Sequence, residues 1–446
     1  MDPYASALDQ AAAIRRGEIS SVELVRMYND RIGRLNPDLS HYVLLTPELA
    51  LEMAAEQHDG PLAGVPVSIK DLAALKGHPQ TFGSRAFEDF VPTWDSFSVA
   101  QLKRAGTPIL GKTNTSEFGL RPTTEYGLFP AARNPWNREH TTGGSSGGAG
   151  GAVAAGLCAL AQGSDGGGSV RIPASCCGVV GIKPTRGRIS SGPLNGEGWA
   201  GLATDGILAR TVADAAAGLE AVAGHLSGDP FWADDYLDRP RPLRVAYTDT
   251  CAAGVDLEVA AAVREIAELL ESLGHDVREA APDLSAVREP MGVIVASGMA
   301  SLPIADLSLL DPFCQAAALA GEHFTGGDYV RAVETIRRAS RQVIGFWDDV
   351  DILVTPTLTM PAPRIGALGA VLESATREYM DWLSFTQPFN CTGQPAISLP
   401  LAMTDSGLPI GIQLVGPPRG EKLLFSIALE LEQARPWADR RPDLAT

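Results

Sequence analysis

GGSSGGAGGAVAAGLCALAQGSDGGGSVRIPASCCGVVGIKPT, residues 143–185, decides how the rest of the chain is read. Two Gly/Ser clusters, 143–148 and 163–169, bracket a run of small residues that suits a buried helix followed by a strand. A flexible linker has no reason to alternate with Val153, Leu157 and Leu160 and then with Val179, Val180 and Ile182. The glycines are therefore expected to be fixed backbone devices inside a core, bringing N–H groups close to a small substrate.

Composition narrows the partner. The 446 residues are 45% hydrophobic and 20% charged, which fits a soluble globular protein without a disordered segment. A net charge of −17 disfavours nucleic acid, whose binding needs a basic face, so a small-molecule partner is expected. The six cysteines form no C-x-x-C pair and have no histidine at zinc spacing, and no H-E-x-x-H occurs. They read as buried thiols in a reducing compartment, and neither metal nor cofactor is called for. The opening MDPYASALDQ has no signal-like pattern, and the apolar window 291–310 is interrupted by Gly298, Pro303 and Asp306. A cytoplasmic location without membrane contact is the expectation, with a homodimer left open.

Taken in order, residues 5–35 predict two helices, the second opened by a Ser20/Glu23 capping box and stopped at Asn36-Pro37. A third helix is expected over 47–58. Val65, Val67 and Ile69 then alternate as in a strand, which puts Lys70 at its C-terminal end, where open α/β sheets carry chemistry. Position alone favours an ordinary lysine reaching solvent. Residues 95–105 predict a helix, 108–110 a short strand and 111–114 a turn.

Three motifs compete for the chemistry. Residues 106–113 match G-x-x-x-x-G-K-T, but the glycine follows a helix and the central residues are strand-like, so a phosphate-binding loop and an ATP-dependent enzyme are remote. Gly144, Ser146 and Gly148 match G-x-S-x-G, yet residues 138–143 read as polar loop instead of the buried strand a nucleophile elbow follows. The second Gly/Ser cluster is better placed: a strand over 158–162, a tight loop over 163–168 and a helix start at 169–174. Consecutive N–H groups of Gly166, Gly167, Gly168 and Ser169 can form an oxyanion hole with Ser169 as attacking group. A purely structural glycine turn is the equal alternative.

These residues resemble the amidase signature family. GVPVSIKD at 64–71, GKTNTSEFG at 111–119, ARNPWN at 132–137 and the whole 143–190 region match its segments in order, as do GQPAISLP at 393–400 and GLPIGIQ at 407–413. The resemblance implies one α/β domain spanning 1–446, a large mixed sheet with helices on both faces. Its core would lie at 60–215, a divergent substrate-facing region at 225–390 and returning strands at 391–430. It also implies Lys70 as base, Ser145 as a bridging serine in a cis peptide and Ser169, 24 residues later, as nucleophile. Ser146, Asp165 and Arg171 are supporting residues, the last two an ion pair tying loop to helix. The implied activity is hydrolysis of the C–N bond of a small-molecule amide through an acyl-enzyme. The GSDGGGSVRIPAS form is similar to the subgroup acting on cyclic amide dimers. The glutaminase-type A subunit of tRNA-dependent amidotransferases is the alternative within the family, disfavoured by Ile172 where such subunits place glutamine. Gly166, where the family carries a side chain, predicts a roomier oxyanion loop. Trp347, Tyr379, Trp382, Phe385 and Phe389 read as core first and pocket lining second.

Overall fold

In a computed structural model that describes residues 1–234 and 241–444, neighbouring residues on one strand belong to different cores. Ile109, Leu160 and Ile207 pack into one apolar cluster, while the next residues along, Leu110, Ala161 and Leu208, pack into another. Side chains on a strand alternate between faces, so a sheet whose central strands are buried along nearly their whole length must be covered on both sides. Among the described residues eleven strands form this sheet. Its middle runs Ile109–Thr113, Val67–Lys70, Leu160–Asp165, Thr204–Ala209, Val180–Lys183, Ala396–Met403 and Pro409–Val415. The first three are parallel and the next four antiparallel, giving the mixed α/β sheet expected. Helices Phe97–Arg104, Val212–Val222, Leu257–Ser272 and Glu421–Ala434 cover one face. Helices Ser21–Leu39, Gly147–Ala154 and Arg171–Cys177 cover the other.

Several boundaries differ from the sequence expectations, each for a local reason. The capping box forms, with the Glu23 N–H donating to Ser20 Oγ and the Ser20 N–H to Glu23 Oε2. The helix it opens passes through Pro37 to Leu39. The carbonyl that loses its bond to Pro37 is that of Gly33, an exposed residue water can serve, and the helix closes instead at left-handed Ser40. Gly111 and Lys112 belong to a strand, paired with Leu45 and Leu44 of the edge strand Tyr42–Leu45. Residues 137–141 form a strand of a separate two-stranded ribbon, mostly exposed and so still no elbow support. The strand expected to end at Gln162 continues to Asp165, because Gly163, Ser164 and Asp165 pair with Gly206, Asp205 and Thr204. The loop is thereby shortened, and Ser169 lies two residues before its helix begins at Arg171.

The first glycine cluster serves close packing. At Gly148 a Cβ would lie 2.4 Å from the Asn114 nitrogen and 2.5 Å from the His41 carbonyl oxygen, backbone atoms that cannot turn aside. Gly148→Ala is therefore expected to cost about 3 kcal/mol or to prevent folding. Gly33→Ala, in an exposed helix position with open space around it, should gain about 1 kcal/mol. Thermal melts of the two variants check this; a wild-type midpoint for Gly148→Ala contradicts the packing argument.

Candidate active site

Lys70 ends its strand on the side where Leu160–Asp165 runs parallel to it, and its side chain is fully buried. The solvent-reaching lysine favoured by position alone is thus corrected: the strand is interior, and the side chain at its end is covered on all sides. Lys70 Nζ lies 2.6 Å from Ser145 Oγ and 3.0 Å from Ser164 Oγ. Burial penalises the charged ammonium and lowers its pKa to about 7, outweighing the attraction of Asp165 and Asp205. Ser145 follows a cis Gly144-Ser145 peptide at the entry to helix Gly147–Ala154 and is 1% exposed.

Ser169 is 7% exposed and lines, with Ser145, a cavity of about 260 Å³. The adjoining Ser146 N–H donates to the Ser169 carbonyl at 3.1 Å, and Ser146 Oγ donates to the Ser164 carbonyl, so the two serine loops are held together through Ser146. Asp165 and Arg171 are both wholly buried and paired at 2.8 Å. Burial alone would raise the carboxyl's pKa, but the guanidinium beside it holds it well below the usual carboxylate range. The same carboxylate accepts the N–H of Gly168 at 2.8 Å and of Val170 at 3.1 Å. The four-donor nest expected from sequence is thus corrected: the Gly168 N–H is already engaged, which leaves Gly166, Gly167 and Ser169 as the loop's candidate oxyanion donors.

Other residues at the site were missed from sequence, all but Asp205 for want of a local signal. Thr386 Oγ1 donates to the Gly167 carbonyl at 2.9 Å, and Asn390 Nδ2 donates to both the carbonyl and the carboxylate of Asp165. The Lys70 N–H donates to Gln162 Oε1 at 3.0 Å. Asp205, on the neighbouring strand, accepts from Ser98 Oγ at 2.6 Å, and burial raises its pKa. An acid on an otherwise apolar strand was a signal of the same kind as Lys70.

The remaining candidates fall elsewhere. Lys112 of the P-loop-like stretch is buried and paired with Asp71 at 2.6 Å, so it has no free ammonium for a phosphate. Of the five aromatics, all buried, only Tyr379 lines a cavity at the site, so the core reading holds for the other four. Among the described residues one trio, Glu117, Asp311 and Cys314, could bring three metal-binding atoms together, but Arg121 already pairs with Asp311 at 2.6 Å. No described helix is long and apolar enough to cross a membrane.

A second cavity, of about 660 Å³, also reaches Ser169 and is lined mainly by apolar side chains such as Leu120, Ile172, Met291 and Leu383. The site is therefore a buried lysine and two serines between two compartments, the smaller, with serines beside Phe97, Phe118 and Trp199, the more polar of the two and the larger mostly apolar. Such a set can generate a serine nucleophile without a metal and hold an acyl group.

Comparison with known proteins gives the family. The family model described as Amidase matches residues 23–425. A 6-aminohexanoate-cyclic-dimer hydrolase of Paenarthrobacter ureafaciens is 38% identical, the match covering 100% of this chain and 97% of that one. The solved structure of a 6-aminohexanoate cyclic dimer hydrolase complexed with substrate superposes with a TM-score of 0.95 at 36% identity over the whole of both chains. A bacterial aryl acylamidase of the amidase signature family superposes at 0.88 with 26% identity, over 98% of this chain and 97% of that one. With a family match over most of its length and relatives aligned end to end, the chain belongs to the amidase family.

Proposed function

We propose that the protein hydrolyses a linear or cyclic amide through an acyl-enzyme on Ser169, with Ser145 and Lys70 as the proton relay. The observation that carries this is Lys70 Nζ at 2.6 Å from Ser145 Oγ, in a site buried enough to bring the amine's pKa down to about 7. Neutral Lys70 accepts the Ser145 proton as Ser145 accepts that of Ser169, and Ser169 Oγ attacks the amide carbon. The developing oxyanion is held by the N–H groups of Gly166, Gly167 and Ser169. When the C–N bond breaks, the relay runs backwards and Ser145 protonates the leaving nitrogen; water then attacks the acyl-enzyme by the same route.

The relay assigns the two compartments. Ser145 lines only the polar cavity, so the amine it protonates departs there, and the acyl chain lies in the larger apolar one. The preferred substrate is accordingly an amide with an extended apolar acyl part. The cyclic-amide relatives support including lactam-like and cyclic oligoamides. The same proposal treats the chain as one domain, supported by a sheet that draws strands from Tyr42 to Val415. It also places the enzyme in a reducing cytoplasm, supported by six free cysteines.

A fluorophosphonate is expected to label Ser169, read by peptide mass spectrometry; a label on Ser146 with Ser169 untouched would move the nucleophile to the elbow-like motif. Activity requires the deprotonated lysine, so kcat/KM should rise with pH, be half-maximal near pH 7 and level off above it. Lys70→Ala should lower kcat/KM by at least ~100-fold. Full activity retained at pH 5, or near wild-type turnover in Lys70→Ala, removes the lysine from the mechanism.

A further inference from the structure

The space opened by Gly166 is occupied. A Cβ built on Gly166 would lie 2.8 Å from Cζ3 and 2.9 Å from Cε3 of Trp199, with Ala203 next at 3.6 Å. The roomier oxyanion loop expected from sequence is thus corrected: the indole of Trp199 rests against the loop where a side chain of residue 166 would stand.

Trp199 is held there against its own backbone preference. Both Trp199 and Ala200 have positive φ, 49° and 52°, a region side chains disfavour. The turn is tied down all round. Leu202 and Ala203 donate back to Trp199 and Gly198 at 3.1 Å, Arg337 donates to the Ala200 carbonyl at 3.2 Å, and Arg186 Nε donates to Gly201. Asn390, which grips Asp165, also donates to the Leu202 carbonyl at 3.1 Å, so the Trp199 turn and the oxyanion loop share one anchor. Trp199 lines both the polar and the apolar cavity, and both reach Ser169.

We propose that Trp199 is the specificity-determining wall of this site, dividing the cleft at Ser169 into an amine side and an acyl side, and that residue 166 is glycine because the indole must lie against it. The proposal rests on the Ser169 reading above. An amide then fits when the groups flanking its scissile bond leave that bond on opposite sides of the indole, whether as the two ends of a linear amide or as two arms of one ring. One that is bulky next to the scissile bond on both sides meets the indole edge. Selectivity is thus set by a rigid ring over the oxyanion loop.

The test compares hexanamide with the crowded amide N-cyclohexyl-2-methylhexanamide on the wild type, Trp199→Ala, Gly166→Ala and the double variant. Trp199→Ala should shift the kcat/KM ratio toward the crowded amide by at least ~10-fold, the scale on which pocket contacts discriminate substrates. Gly166→Ala should cost at least ~10-fold on hexanamide in the wild-type background and less than ~2-fold in Trp199→Ala, since removing the ring removes the collision. An equal cost in both backgrounds, or an unshifted ratio in Trp199→Ala, overturns the proposal. Should Gly166→Ala not fold, Trp199→Phe decides by the ratio alone: an intermediate shift supports the wall and an unchanged ratio overturns it. Fluorophosphonate labelling of the same enzymes separates the two readings. An unshifted ratio in Trp199→Ala with Ser169 still labelled sinks the wall alone, whereas Ser169 unlabelled in the wild type sinks the nucleophile.

Discussion

The buried pair of Asp165 and Arg171 is the interaction on which the rest of the site depends. Removing two charges from water costs several kcal/mol per ion, so such a pair persists only where geometry and hydrogen bonding are complete. Here they are complete on the cationic side. Arg171 Nε and Nη2 reach the Asp165 carboxylate, while the other N–H groups reach the Thr386 carbonyl, Gln413 Oε1 and Asn390 Oδ1. All five donors of the guanidinium are engaged, and they join the loop to chain more than 200 residues away. The carboxylate in turn fixes the N–H groups of Gly168 and Val170, which sets the direction in which the neighbouring N–H groups point.

A depressed lysine pKa is not itself a mark of catalysis here. Lys183 is also buried and also lowered to about 7, yet its Nζ donates to the Pro184 carbonyl and it lines neither cavity at Ser169. Lys112 is lowered by burial as well, but a carboxylate partner, Asp71, draws it back toward the charged form. Lys70 differs in having a serine hydroxyl at its amine instead of a carboxylate or a carbonyl. The acids that feel it, Asp165 and Asp205, are held off by other partners: Asp165 by Arg171, Asp205 by Ser98. A neutral amine facing a hydroxyl is the arrangement general-base catalysis needs, and burial produces it only because no carboxylate pairs with the amine.

Glycine does two different things in the two clusters. In the first it lets the helix Gly147–Ala154 pack backbone to backbone, as at Gly148 against Asn114 and His41. In the second, at Gly166, it admits a ring from a turn 33 residues further along the chain. A glycine at a catalytic loop therefore does not by itself mean open space; the space belongs to whatever packs against it.

What the sequence determined by itself was the local chemistry. The Lys70 strand end, the Ser20/Glu23 cap and the apolar alternation of Val65, Val67 and Ile69 all lie within short windows, where period and residue type suffice, while the pairing of Ser145 with Ser169 was implied by the resemblance to the family. What only the tertiary structure decided was which distant groups complete the site. No local pattern ties Thr386, Asn390 and Gln413 to Arg171, takes the Gly168 N–H for Asp165, or sets Trp199 on Gly166. Strand length was likewise decided by pairing: Gly163 to Asp165 became strand because Thr204 to Gly206 lay beside them, a partnership that glycine-rich composition argued against. Local sequence fixes which conformations a segment prefers, whereas burial, ion pairing and excluded volume act between segments brought together only when the sheet has closed over both faces.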